Sequence, residues 1–251
     1  MPLRPSLLPV LALSLLSCAC VIHLPCGGDG CVVVDGVCLE AQHEETLPIA
    51  EWHPTGLVVD VSFGDLVFET TDGPSLVVAT LHEERLGDAT LVYEDGVLQA
   101  RSLSGGTTAL CDTHVYVHGE LPALKAATGK GDIDVRGVAI ANEVALETGL
   151  GDVCAKNVNA GGQATLSSGM GDVDVEGLHS TRVTAESGLG DVTLRRVTTG
   201  DADVSSGLGD IALEASAFNI LQAETGLGDV DCRGSTYAQG HLESGLGSVD
   251  H

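Results

Sequence analysis

The stretch SGLGDV, residues 187–192, decides the fold. It returns as SGLGDI at 206–211 and as TGLGDV at 148–153 and 225–230. The acidic residue of each corner falls at Asp132, Asp152, Asp172, Asp191, Asp210 and Asp229, with Ser248 in the seventh place. The steps are 20, 20, 19, 19, 19 and 19 residues, a period that marks a repeat architecture. Counted from the Asp, the second position holds Ile133, Val153, Val173, Val192, Ile211, Val230 and Val249. The fourth holds Val135, Ala155, Val175, Leu194, Leu213 and Cys232, with mostly polar residues between. That alternation is a strand. A second alternating run precedes each corner, as in Val144/Leu146, Ala164/Leu166, Val183/Ala185 and Leu221/Ala223.

Each unit therefore reads as two short strands and two corners. No unit can bury its apolar face alone, but stacked units can, at about 4.8 Å per rung. The predicted fold is all-β: a single-chain β-solenoid, or β-helix, with coils of 19–20 residues. The paired glycines, such as Gly188 and Gly190, are expected where the chain turns sharply and φ must be positive. A dinucleotide fingerprint needs a third glycine and a following helix, and a Walker loop needs Gly-Lys-Ser/Thr; both are absent. The nine-residue calcium repeat has another period.

Outside the regular coils the pattern loosens. Phe63-Gly64-Asp65 and Gly87-Asp88 repeat the corner device, so 56–127 is read as irregular coils of the same stack and 128–251 as the regular ones. Residues 18–55 are read as a Cys-rich segment and polar linker. Residues 1–17 read as a signal peptide: Arg4 precedes an apolar run, Leu7 to Leu16, too short to span a bilayer. Leu15-Leu16-Ser17-Cys18 resembles a bacterial lipobox. That resemblance implies cleavage before Cys18 and a diacylglycerol on its thiol; ordinary secretory cleavage, for example after Ala19, is the alternative. Both routes export the chain and permit disulfides. Cys20, Cys26, Cys31 and Cys38 suit two local disulfides, with a zinc site as the alternative.

The chain has 251 residues, 36 acidic and 11 basic, for a formal charge of −25. Nucleic acids and anionic membrane surfaces need a basic footprint, so both are excluded as partners. Aromatics make up only 3%, too few for stacking platforms.

A strand with FGD, then VYVHGELPALKAATGKGDIDVRG, then serial SGLGDV units resembles the bacterial putative-adhesin family of β-strand repeats. That family is known mostly as a domain of unknown function with serial Ser/Thr-Gly-x-Gly-Asp-Val corners. The resemblance spans roughly 56–251 and implies a β-solenoid on an envelope or secreted protein. It supplies no catalytic residues. This chain departs at the x position, where Leu150, Met170, Leu189, Leu208, Leu227 and Leu246 replace the expected small or polar residue.

Three side-chain sets are candidate sites. The six corner Asp residues, Asp132 to Asp229, form an acidic ladder that could hold Ca²⁺ through carboxylate oxygens; no other cofactor is expected. Neighbouring charges at rung spacing repel by only about 1 kcal/mol in water, so burial of the coil outweighs them without a cation. The Leu/Met row either closes one end of the core or forms an exposed stripe. The core reading is preferred, because exposed apolar stripes are rare; the stripe reading would make the row a contact surface. His114 and His118 share a strand face and read as solvated residues or as a chelating pair. Cys154 and Cys232 lie four coils apart, roughly 19 Å, too far for a disulfide, and are expected to be reduced.

Constant coil length leaves no inserted loops to wall a cleft, so the expectation is a non-enzymatic, lipid-anchored envelope element, outer-membrane or surface-exposed, that binds an envelope or extracellular surface component. A calcium-binding scaffold is the alternative, and a polysaccharide-active β-helix the second. The last corner, SGLGSVDH at 244–251, carries no polar cap, and self-association through that coil edge is a further expectation.

Overall fold

The computed structural model describes residues 32–250. Cys18, Cys20, Cys26 and Cys31 lie outside the described residues, as do the signal and lipidation segments. Cys38 is disulfide-bonded. The described residues contain strands, turns and bends but no helix.

Two parallel walls run the length of the stack. The narrow wall is made of Leu66–Thr70, Ile133–Arg136, Val153–Lys156, Val173–Glu176, Val192–Arg195, Ile211–Glu214, Val230–Asp231 and Val249–Asp250. The broad wall is made of Leu57–Val61, Leu124–Lys130, Val144–Leu150, Gln163–Met170, His179–Leu189, Thr198–Leu208, Ala217–Leu227 and Thr236–Leu246. Register is in phase throughout: Ile133 faces Val153, which faces Val173, which faces Val192. This is the predicted β-solenoid. The inward positions read from the alternation, including Val135, Val175, Leu146, Leu166 and Leu221, are buried up to the last rung, where Val249 is only half-buried. Each contributes about 1.5–3 kcal/mol of burial free energy, realised only when neighbouring rungs are in place.

A third buried row was not expected from two strands per coil. Val138, Val158, Leu178 and Val197 lie just beyond the narrow wall, each 0–1% exposed. The residue before each takes a left-handed backbone: Gly137 (φ 67°), Asn157 (54°), Gly177 (67°) and Arg196 (53°), followed by Ala215 (48°). This second corner swings the chain from the narrow wall towards the broad one.

The change of period from 20 to 19 residues has a local cause. In the longer coils a short strand, Ala139–Ile140 or Asn159–Ala160, is separated by a bend from the main broad-wall strand. His179 pairs with Asn159, twenty residues earlier, but Arg182 pairs with Gln163, nineteen earlier. One residue of the Gly161-Gly162 bend has been lost, and the two pieces fuse into the eleven-residue strand His179–Leu189.

The N-terminal part departs from the sequence reading. Residues 57–70 do form a coil, and it stacks directly on 124–136. The segment between, 71–120, is not a run of coils. Leu76–Glu83 pairs antiparallel with Thr108–Val117, which runs parallel to Leu66–Thr70. Ala89–Glu94 and Val97–Ser102 form a hairpin over the first rung. Ala41–Pro48, read as linker, is a strand antiparallel to Leu76–Glu83. Gly87-Asp88 accordingly is a loop of this cap and not a rung corner: the Asp88 carboxylate accepts the Ser104 amide and the Ser102 hydroxyl. The cap is held by Glu83, whose fully buried carboxylate accepts the amides of Gly87 (2.8 Å) and Ala89 (2.5 Å) and meets His43 Nδ1 at 2.8 Å. Burial alone would raise its pKa, but those bonds together outweigh it and hold the carboxyl below its ordinary range.

Candidate functional site: the repeated corner

Stacking accounts for nearly every residue of the corner. The Ser/Thr hydroxyl donates to the second-Gly carbonyl one rung back: Thr148 to Gly131, Ser168 to Gly151, Ser187 to Gly171 and Ser206 to Gly190, each at 2.8 Å. These hydroxyls are buried and satisfied. The first glycine is required by close approach and not by a positive φ: a Cβ on Gly188 would lie 2.5 Å from the Gly169 carbonyl oxygen. The second glycine needs both; Gly190 has φ 155°, and its Cβ would meet the Gly171 oxygen at 2.3 Å. The expectation that both glycines sit at positive φ is corrected accordingly.

The Asp residues form a continuous amide–carboxylate ladder. Each Oδ1 accepts the backbone N–H of the equivalent residue on the next rung. The Asp65 Oδ1 takes the Asp132 amide at 2.9 Å, and the Asp132, Asp152 and Asp172 oxygens take the amides of Asp152, Asp172 and Asp191 at 2.8 Å. Asp191 and Asp210 continue it to Asp210 (2.7 Å) and Asp229 (2.8 Å), and Asp229 ends on Ser248 at 2.7 Å. Asp112 begins it by accepting the Asp65 amide at 2.9 Å. The Ser248 amide, with its hydroxyl, holds the Asp229 carboxyl below its ordinary range. No group of three or more His, Cys, Asp or Glu side chains converges on a metal-sized site among the described residues.

The remaining position is x, and here the core reading is overturned. Leu150, Met170, Leu189, Leu208 and Leu227 are 39–49% exposed, and Leu246 is 71% exposed. They pair in strict register from rung to rung. Counting by twos from Leu146 and Thr148 would put Leu150 inside, but the corner begins at Gly149 and the alternation fails there. The result is a single-file apolar stripe over six rungs, about 24 Å long. Lys130 occupies the equivalent place one rung earlier and ends it. Two residues after each stripe member stands the Asp ladder, which ends at Ser248 beside Leu246. Three residues before it stands an exposed or half-exposed row: Glu147, Ser167, Glu186, Ser205, Glu224 and Glu243.

The basic residues lie mostly elsewhere. On and beside the narrow wall Arg136 pairs with Asp134, Arg195 with Asp174 and Glu214, Arg196 with Glu176, and Arg233 with Asp231. The stripe and its two flanking rows carry no Lys or Arg from 147 to 246.

The other candidates do not assemble into a site. His114 stacks on Tyr116 with ring centroids 4.1 Å apart, and its Nε2 is 3.1 Å from Glu69 Oε1. His118 Nδ1 lies 3.3 Å from the Thr71 carbonyl. Cys111, Cys154 and Cys232 are free thiols. Burial and neighbouring Asp112 push the Cys111 thiol up, and burial with Asp231 pushes Cys232 up to about 11, so neither is a ready nucleophile.

The fold and its corner define a class: a parallel β-solenoid closed at its N-terminal side by an antiparallel cap and stitched by side-chain ladders. The profile of the Toastrack DUF4097 family matches residues 111–250, more than half of the chain. The protein belongs to that family. The match begins inside the strand that leads from the cap into the regular coils, later than the start near residue 56 expected from the corner motif. No curated protein is detectably similar in sequence. Among solved structures, a putative adhesin from Bacteroides fragilis is similar at 13% identity, covering 84% of this chain and 97% of that one, with a TM-score of 0.48. A putative adhesin from Parabacteroides distasonis is similar at 13% identity over 84% and 97% of the two chains, TM-score 0.45. A putative lipid binding protein from the same species is similar at 11% identity over 84% and 96%, TM-score 0.48.

Proposed function

We propose that the protein is a non-enzymatic binding element of the cell envelope, an adhesin-like solenoid that meets its partner along the Leu/Met stripe. One observation carries the reading. The corner's hydroxyl, glycines, Asp and Val are each engaged in stacking, while the x residue is left half exposed. A small polar residue would serve the rung as well, so six large apolar ones are unexplained by the fold. An in-register apolar strip of this extent is the kind of surface that marks an interaction site. The exported, membrane-anchored part of the proposal rests on the N-terminal sequence, with Cys18 as the lipidated residue.

The test is adhesion of the purified chain to intact bacterial envelopes, wild type against Leu189→Ser with Leu208→Ser. Binding should fall at least tenfold while the melting temperature moves by less than about 3 °C. Undiminished binding would remove the stripe from the function.

A further inference from the structure

The stripe is one residue wide. Alone it offers far less than the roughly 800 Å² per partner of a standard interface, so whatever covers it must also lie over the rows on either side. Those rows are the Asp ladder and the glutamates Glu147, Glu186 and Glu224, with no basic residue among them. A second copy of this chain would press one acidic ladder against another at −25 per molecule, and an anionic lipid surface meets the same repulsion. From Leu150 to Leu227 the broad-wall backbone is already paired on both sides, so an added strand could join only at the end rung, Thr236–Leu246, and not along the stripe.

A helix answers the geometry. One apolar side chain per turn, repeating every 5.4 Å, runs beside rungs spaced about 4.8 Å, and about 16 residues cover the 24 Å strip. From these constraints we infer that the stripe and its acidic borders form a receptor for a basic amphipathic helix of a partner polypeptide, its apolar ridge on the leucines and its Lys/Arg flanks over the Asp and Glu rows. Charge complementarity sets the polarity of the partner, and the single-file stripe sets the width of its ridge. This deepens the function proposed above and rests on the stripe being the contact surface.

The test uses the full chain and a fluorescent synthetic helical peptide of 18 residues, Leu on one narrow face and Lys elsewhere. A Leu/Glu peptide of the same pattern and a scrambled Leu/Lys peptide serve as controls. Anisotropy should show binding of the Leu/Lys helix that weakens with salt, at least tenfold weaker binding of the scrambled peptide, and none of the Leu/Glu helix. Leu189→Ser with Leu208→Ser should weaken binding about tenfold. Glu147→Gln with Glu186→Gln, changes at exposed side chains, should weaken it several-fold and flatten the salt dependence. Equal binding of the helical and scrambled Leu/Lys peptides, or Leu/Lys binding unaltered by the leucine pair, would overturn the inference and leave only charge attraction. Should the leucine pair abolish adhesion to envelopes while the Leu/Lys helix fails to bind, the stripe remains the contact surface and the helical partner is refuted. Should neither respond, both fall.

Discussion

Replacing Asp191 separates the hydrogen-bond acceptor from the charge. Its Oδ1 accepts the Asp210 amide at 2.7 Å, and its own amide is held by Asp172 Oδ1 at 2.8 Å. Asp191→Ala deletes one acceptor in an exposed corner, where water partly replaces it, so the loss is that of one bond to a charged group, about 1–2 kcal/mol. Asp191→Asn keeps an amide oxygen in the same place. Both variants remove repulsion from the Asp residues on the two adjoining rungs, about 1 kcal/mol each in water and less with salt, so they differ only in the acceptor. The order expected in thermal denaturation followed by circular dichroism is therefore Asn equal to or above wild type, and Ala about 3–6 °C below Asn. Raising the salt should stabilise wild type more than the Asn variant. If Asn falls as far as Ala, the carboxylate's charge and not its oxygen is what the corner needs. Calcium held by the ladder would then become the better account of the Asp row.

Gly190→Ala places a Cβ 2.3 Å from the Gly171 oxygen at φ 155° and should cost at least about 3 kcal/mol, read as a melting temperature lowered by roughly 10 °C or as loss of folded protein. Ala215→Gly relieves a left-handed alanine (φ 48°) and should raise the melting temperature by about 1–2 °C, since the backbone relief exceeds glycine's extra chain entropy. Glu83 has a depressed pKa when folded, so its contribution is present above its unfolded pKa and lost as pH falls through the folded one; Glu83→Gln should lower stability at pH 7 and flatten the acid limb of a stability–pH curve. Calcium at millimolar concentration should move the melting temperature of wild type by no more than simple salt of equal ionic strength does, because each ladder Oδ1 is already engaged.

The coils were legible because every rung solves the same packing problem with the same residue types. Val173, Val192 and Ile211 occupy one environment three times over, and the period exposes it. The cap was not legible because its contacts occur once. Two signals nevertheless stood in the sequence: Asp35-Gly36 and Asp95-Gly96, each flanked by strand residues, both fold as hairpin turns with positive φ at both positions. The second of them, Asp95-Gly96, marks 71–120 as something other than a run of coils. The left-handed corner at Gly137, Asn157 and Gly177 was also in view, but Arg196 and Ala215 in the same place hid it. The Leu/Met row was misassigned for a physical reason: hydrophobicity and an even step from Leu146 both favour the core, and only the backbone turn at the glycine pair carries the side chain out.

The account stands on the rungs being parallel, in register and stacked so that the x residues line up along one edge. The most direct measurement is a dipolar electron-spin distance between nitroxides at Leu150→Cys and Leu246→Cys, with Cys154→Ser to remove the half-exposed native thiol. These sites are joined by five successive in-register pairings. A single narrow distance near 24 Å is expected, within the few ångströms the label arms add. A broad distribution, or a peak well above 35 Å, would contradict the stack and with it the stripe.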